Sequence, residues 1–316
     1  MGAPCCQKRA GKFDTIGHQI ACPAARLPYI SLMGYLPRPI DLINKTVRLG
    51  GVKASRNVAY GEHPRQVLDI YTPQATNGPH PVIVFFYGGS WQRGVRGDYG
   101  FVAARLAACG YTVVVPDYRI YPETRYPGFL EDCTAAVDWV TRGIDAYGGD
   151  GGVVFLLGHS AGAYNAVMVA LGAGAIDARA PVAGVIGLAG PYDFLPLKDP
   201  VIKAIFASPD LTETQPITHA HGDAPPMFLA SGARDRVVLP RNTTALAARL
   251  RQTGGVVETR IYPKLGHIGI LLTILPYFAW RAPVWRDVLG FIEDCRAGIL
   301  VRPHSEIAAS MVRRSL

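Results

Sequence analysis

The stretch from Val153 to Ala163 reads V-V-F-L-L-G-H-S-A-G-A. An apolar run stops at Gly158-His159-Ser160-Ala161-Gly162, and a helix-compatible segment of small residues follows. This pattern predicts a buried strand, a sharp turn and a helix, with Ser160 at the turn. The turn is tight, and residues without a Cβ at 158 and 162 let strand and helix approach closely. The helix N-terminus would aim free N–H groups at the serine, where they favour a developing negative charge. A G-x-S-x-G pentapeptide arises often by chance, so its surroundings have to decide what it means.

Those surroundings alternate. Pro81–Tyr87 is a continuous apolar run, as expected of a strand covered on both faces, and it ends at Gly88-Gly89-Ser90-Trp91. Helical spacing over 98–109 stops at Gly110, and 112–116 is a second buried strand, followed by Asp117-Tyr118-Arg119. A helix lies within 127–147 and another runs from Ala161 to about Leu171. Strands are expected at 182–189, 226–231 and 256–262, with helices at 243–252 and from 281 or 283 to 296. Upstream, 57–60 and 66–71 read as two strands joined by a Gly-Glu-His-Pro turn. Alternating strands and helices with apolar strands predict an α/β fold: a mostly parallel sheet with helices on both faces. Ligands in such sheets bind beyond the carboxyl ends of the strands.

At those ends stand Ser160, then Asp235 after the strand at 226–231, then His267 after the strand at 256–262. A serine hydroxyl is a poor nucleophile until an imidazole takes its proton, and a carboxylate fixes the tautomer of that imidazole. The order Ser…Asp…His is the α/β-hydrolase order. A fourth strand end supplies Gly88, Gly89 and Ser90, whose backbone N–H groups, with that of Ala161, are candidates for an oxyanion hole.

Tyr87-Gly88-Gly89-Ser90-Trp91 resembles the His-Gly-Gly-Gly or His-Gly-Gly-x-Trp loop of hormone-sensitive-lipase-like esterases, arylformamidases and isoprenylcysteine methylesterases. Asp117-Tyr118-Arg119-Ile120-Tyr121-Pro122-Glu123 is similar to the D-Y-R-L-A-P-E segment of that group, and Tyr126-Pro127 through Trp139 to its F-P-A…D…W helix. The resemblance covers roughly 65–295. It implies an α/β-hydrolase fold with an eight-stranded, mostly parallel sheet, hydrolysis of carboxylic esters by a serine nucleophile, and no metal or organic cofactor; the apolar stretches at 194–206 and 268–280 point to small to medium apolar esters. Tyr87 stands where the group has histidine, and Ser90 where it has a third glycine. An arylformamidase-like amide hydrolase, suggested by Trp91, and a hydrolase-fold binding protein without turnover are the alternatives.

Asp193 is a rival acid, but Asp235 has the Gly-x-x-Asp context after the later strand. His219 and His221, two residues apart with no third ligand nearby, read as surface. Arg119, Glu123 and Asp132 read as structural. A small cap is expected within 194–224. The substrate pocket is expected to draw on Tyr87, Trp91, Tyr192, Phe194, Ile268 and Leu271. Ile268–Trp280 is almost wholly apolar, too short and Pro-broken to span a membrane. Either it is a core helix, or it walls the pocket and continues into a mouth that makes peripheral contact with lipid.

The net charge is +8, and residues 1–60 carry nine Lys/Arg against two Asp. Residues 1–60 therefore read as a basic extension, 61–300 as the hydrolase domain and 301–316 as a tail. No basic patch interleaved with aromatics appears, which argues against nucleic acid as a partner. Of the six cysteines, Cys109 and Cys133 read as small buried hydrophobes, and the spacing implies neither a disulfide framework nor a zinc site. No apolar h-region follows the basic start, so the expected location is cytoplasmic.

Overall fold

Eight strands hydrogen-bond into one sheet in the order β1-β2-β4-β3-β5-β6-β7-β8, where β1 is Val52–Ala59, β2 Val67–Pro73, β3 His80–Phe86, β4 Thr112–Pro116, β5 Gly149–His159, β6 Val182–Leu188, β7 Met227–Gly232 and β8 Val257–Tyr262. The structure is a computed structural model that describes residues 51–74, 78–172 and 182–300. The basic segment through residue 50, in which the sequence suggests short helical pieces around 29–34 and 40–45, the cysteines at 5, 6 and 22, and the tail at 301–316 lie outside the described residues. β1 and β2 pair antiparallel, as do β2 and β4, and every later pairing is parallel.

Consecutive strand residues point to opposite faces, so a strand buried at every position is covered on both sides. Ile83–Phe86, Val113–Val115 and Val154–Leu157 are all buried. The covering helices are α1 (Gly100–Ala107), α2 (Gly128–Gly143), α3 (Ala161–Ala170), α4 (Pro200–Ile205), α5 (Arg241–Gln252), α6 (His267–Leu272) and α7 (Val284–Arg296). α1 and α7 share a side: the Arg105 guanidinium lies 5.2 Å from the Trp285 ring, and Tyr111 at the end of the α1 turn donates to Glu293. α2 and α3 pack against each other and on β5. These fully buried stretches of the central strands thus follow from apolar runs too continuous to leave one face wet.

Three boundaries move. Residues 52–59, drawn into the basic extension by the sequence reading, form edge strand β1, so the sheet begins before residue 61. β5 begins at Gly149, four residues before the apolar run that starts at Val153, and its first residues pair with β3 through an irregular register between Pro81 and Val82. Cys109 is exposed rather than buried, because α1 ends at Ala107 and leaves it in the turn. Cys133 is buried in α2.

Candidate active site

β5 ends at His159 and α3 begins at Ala161, so the whole reversal falls on Ser160. Its φ is 56°, in the left-handed region that costs a non-glycine residue about 1–3 kcal/mol. The neighbouring glycines make the reversal sterically possible. A Cβ on Gly158 would sit 2.2 Å from the Gly162 carbonyl oxygen, and one on Gly162 would sit 2.0 Å from that of Phe86. The Ser160 N–H donates to the Leu188 carbonyl (2.9 Å), tying the turn to β6.

Asp235 and His267, each a few residues beyond the end of its strand, meet the serine. His267 Nδ1 lies 2.8 Å from Asp235 Oδ2 and Nε2 lies 2.9 Å from Ser160 Oγ. With the neutral imidazole donating from Nδ1 to the carboxylate, Nε2 is left bare to accept the serine proton. The other carboxylate oxygen of Asp235 accepts the N–H groups of Val237 and Val238, both at 2.9 Å. Burial alone would raise the Asp235 pKa; the hydrogen bonds from His267, Val238 and Val237 outweigh it and hold the carboxyl below its usual range. Asp235 is therefore a fixed, ionised acceptor.

His159, just before the nucleophile, is buried beside this triad. Burial and the neighbouring His267 push its pKa down to about 4, so the ring is neutral near pH 7. Its Nε2 lies 3.0 Å from the His267 carbonyl oxygen, which can only accept, so Nε2 carries the proton.

The loop after β3 reaches the serine from the other side. A Cβ on Gly88 would approach the Ser160 Cβ to 3.0 Å. Among the described residues, the backbone N–H groups of Gly89, Ser90 and Ala161 donate to no protein acceptor. Three donors left free beside a nucleophile are what a developing oxyanion requires.

That loop is clamped from behind. Tyr87 is stacked between Tyr99 and Tyr118, and its hydroxyl donates to Asp117 (2.7 Å) and accepts from Arg65 (3.0 Å). Arg65 also donates to the Gly94 carbonyl, and Tyr118 donates to the Tyr87 carbonyl. Asp117 further accepts the N–H and guanidinium of Arg96, which also binds Asp69. Trp91 donates from its indole to Asn165 on α3 (2.9 Å).

A cavity of about 390 Å³ opens beside Ser160, lined in part by Ser90, Trp91, Gln92, Ala161, Phe194 and Val238. Trp91 and Phe194 therefore line it as the sequence suggested. Four expected pocket residues do not. Tyr87, the first residue past the end of β3, is buried behind the loop, where its ring stacks with Tyr99 and Tyr118. Tyr192 is buried with its ring against Gly187 and Gly190. Leu271 faces the core from α6, while Ile268 on the same helix is 56% exposed and outside the cavity. Gln92, Val237 and Val238 were missed, and only their closeness in sequence to Ser90 and Asp235 hinted at them.

The rival residues sit elsewhere. The Asp193 carboxylate lies 3.6 Å from Arg241, and its N–H donates to Asn242. Asp132 accepts the Arg119 guanidinium and the Gln66 amide, a structural pair. Glu123 lies 3.0 Å from His63. His219 contacts the Glu213 carbonyl, and no group of three metal-ligating side chains forms among the described residues.

Comparison with known proteins gives the chain its family and its fold. The BD-FAE family model matches residues 68–250, a span from β2 to the end of α5. The chain belongs to the BD-FAE family. Esterase LipC of Mycobacterium tuberculosis (strain ATCC 25618 / H37Rv) is 30% identical over 62% of this chain and 55% of its own length. A probable isoprenylcysteine alpha-carbonyl methylesterase of Oryza sativa subsp. japonica is 30% identical over 69% of this chain and 57% of its own. The chain thus spans little more than half the length of these curated relatives. Among solved structures, esterase B of Lactobacillus rhamnosis inhibited by a tributyrin phosphonate superposes with a TM-score of 0.70, at 20% identity over 81% of this chain and 90% of that one. A truncated carbohydrate esterase from gut microbiota gives 0.68, at 19% identity over 77% and 96%. At such identities the likeness concerns the fold, which is that of the α/β-hydrolases.

Proposed function

We propose that this BD-FAE family member is a serine carboxylesterase acting on small-molecule esters. The observation that carries the reading is the continuous hydrogen-bonded line from Asp235 through His267 to Ser160 Oγ, in a cavity that Ser90 and Ala161 also line. In the acylation step Ser160 Oγ attacks the ester carbonyl as His267 Nε2 takes its proton, and Asp235 stabilises the imidazolium. The N–H groups of Gly89, Ser90 and Ala161 bind the tetrahedral oxyanion. His267 then gives the proton to the departing alcohol. Water enters, loses a proton to His267 and releases the acid by the same steps in reverse.

Ser160→Ala removes the attacking atom, so turnover of p-nitrophenyl acetate falls by at least about 10³-fold while the fold persists. A variant that keeps wild-type turnover sinks the assignment. Comparing esters with N-formyl aromatic amides separates ester from amide preference.

Peripheral contact with lipid belongs to the same proposal. What supports it is the exposed run after α6, where Tyr277 is 71% and Trp280 82% exposed and Arg281 follows. No helix among the described residues is long and apolar enough to cross a membrane.

A further inference from the structure

The cavity beside Ser160 does not end there. A second cavity of about 380 Å³ shares Pro191, Phe194, Asp199, Ile202, Val237 and Val238 with it, so the two form one groove that passes between α4 and the loop after Asp235. The far chamber adds Leu195, Leu197 and Leu239 and opens beside Lys198 and Arg241. The walls shared by the chambers are mainly apolar and well held. Phe194 packs edge-on against Tyr164 and Phe206, and its N–H donates to Gln215 (2.8 Å). Asp199 caps α4 by accepting the N–H groups of Val201 and Ile202, which anchors the start of the helix whose Ile202 lines both chambers.

The direction of the groove assigns its occupant. Ser90, Ser160 and Ala161 line the near chamber, whereas neither His267 nor Ile268 does. The leaving oxygen must lie within hydrogen-bond reach of His267 Nε2 to take its proton, which puts the alcohol on the His267 side, outside the groove. The carbonyl oxygen points at the N–H groups, and the remaining substituent on the reacting carbon, the acyl chain, runs into the groove.

We propose that this groove is an acyl-chain site, that the preferred substrates are esters of medium-length apolar acids with little restriction on the alcohol, and that Ile202 sets how far the chain can reach. The inference rests on the ester hydrolysis proposed above. Each methylene that leaves water for the groove raises kcat/KM by up to about fourfold until the groove is filled.

The test uses the full chain and two substrate series: p-nitrophenyl esters from acetate to decanoate, which vary the acyl chain, and acetate esters of alcohols from methanol to octanol. The expected result is a rise in kcat/KM of at least about tenfold from acetate to hexanoate or octanoate and a nearly flat alcohol series. Ile202→Trp, which plugs the passage, lowers the octanoate-to-acetate ratio at least about fivefold, and Leu239→Trp at the half-exposed far wall lowers it as well. Labelling by a fluorophosphonate probe verifies that each variant is folded with a reactive serine. A flat acyl series, or a ratio that neither variant moves in labelled protein, overturns the acyl site and leaves the esterase reading standing. Length dependence confined to the alcohol series overturns the orientation. Wild-type protein that neither labels nor turns over either series overturns both readings.

Discussion

His159 shows what a single buried group contributes beside a reactive one. Its ring centroid lies 5.0 Å from that of His267, and its Nε2–H holds the backbone carbonyl of the residue that must take a proton from Ser160. A charged imidazole there would face both desolvation and a neighbouring imidazole, which is why its pKa falls from 6.5 to about 4. The sign of the linkage follows. Between pH 4 and 6.5 the unfolded chain binds a proton at this residue that the folded protein does not, so stability falls as pH falls through that window. From pH 7 to pH 5 the loss attributable to His159 is about 2 kcal/mol. His159→Gln keeps an N–H donor without the titration, so urea unfolding at the two pH values should show a drop smaller than wild type by that amount. Equal drops in the two proteins would show that the ring is not held neutral.

At the level of elements, the strand–turn–helix around Ser160 is a joint without steric slack at Gly158 and Gly162. Gly162→Ala places a Cβ 2.0 Å from the Phe86 carbonyl oxygen, and that oxygen belongs to a central strand with no room to retreat. The expected outcome is a loss of at least about 2 kcal/mol in urea unfolding, with fluorophosphonate labelling slowed at least tenfold in whatever folds. A variant with wild-type stability and labelling rate would mean that the turn is slack. This joint was legible in the sequence because glycine spacing and an apolar run report backbone sterics directly. The same holds for Asp235, which closely follows the buried strand β7, whereas His267 follows edge strand β8, whose Glu258, Thr259 and Arg260 break the apolar run, and was read from its place in the order Ser…Asp…His. Tyr87 was not legible: it follows β3 directly, and an apolar run that continues past the strand end does not say which way the next side chain turns. Leu271 and Ile268 failed for a related reason, since an all-apolar helix does not mark its buried stripe. Arg65, 22 residues from the Tyr87 hydroxyl it binds, lies in a hairpin turn where no local pattern signals a tertiary partner. The groove past Phe194 depends on how α4 packs over the site, and packing of that kind has no periodic signature.

The acyl groove runs past Phe194 and Ile202, while His267 opens α6 and leads toward Tyr277, Phe278 and Trp280. Aromatic side chains with one apolar and one polar end are suited to a membrane interface, and Arg281 with the 81% exposed Arg286 side chain would favour anionic headgroups. If this surface delivers esters dissolved in lipid, sedimentation with vesicles containing phosphatidylserine should pull down the wild type and lose it as salt rises. Tyr277→Ser combined with Trp280→Ser should cut the bound fraction at least threefold, since the two rings supply most of the apolar area exposed there. Hydrolysis of a soluble acetate ester is the control, because neither ring lines the cavity beside Ser160. Binding that survives the double substitution would place the contact elsewhere, and binding that is absent from the wild type would remove lipid from the proposal while leaving the chemistry of Ser160 as it stands.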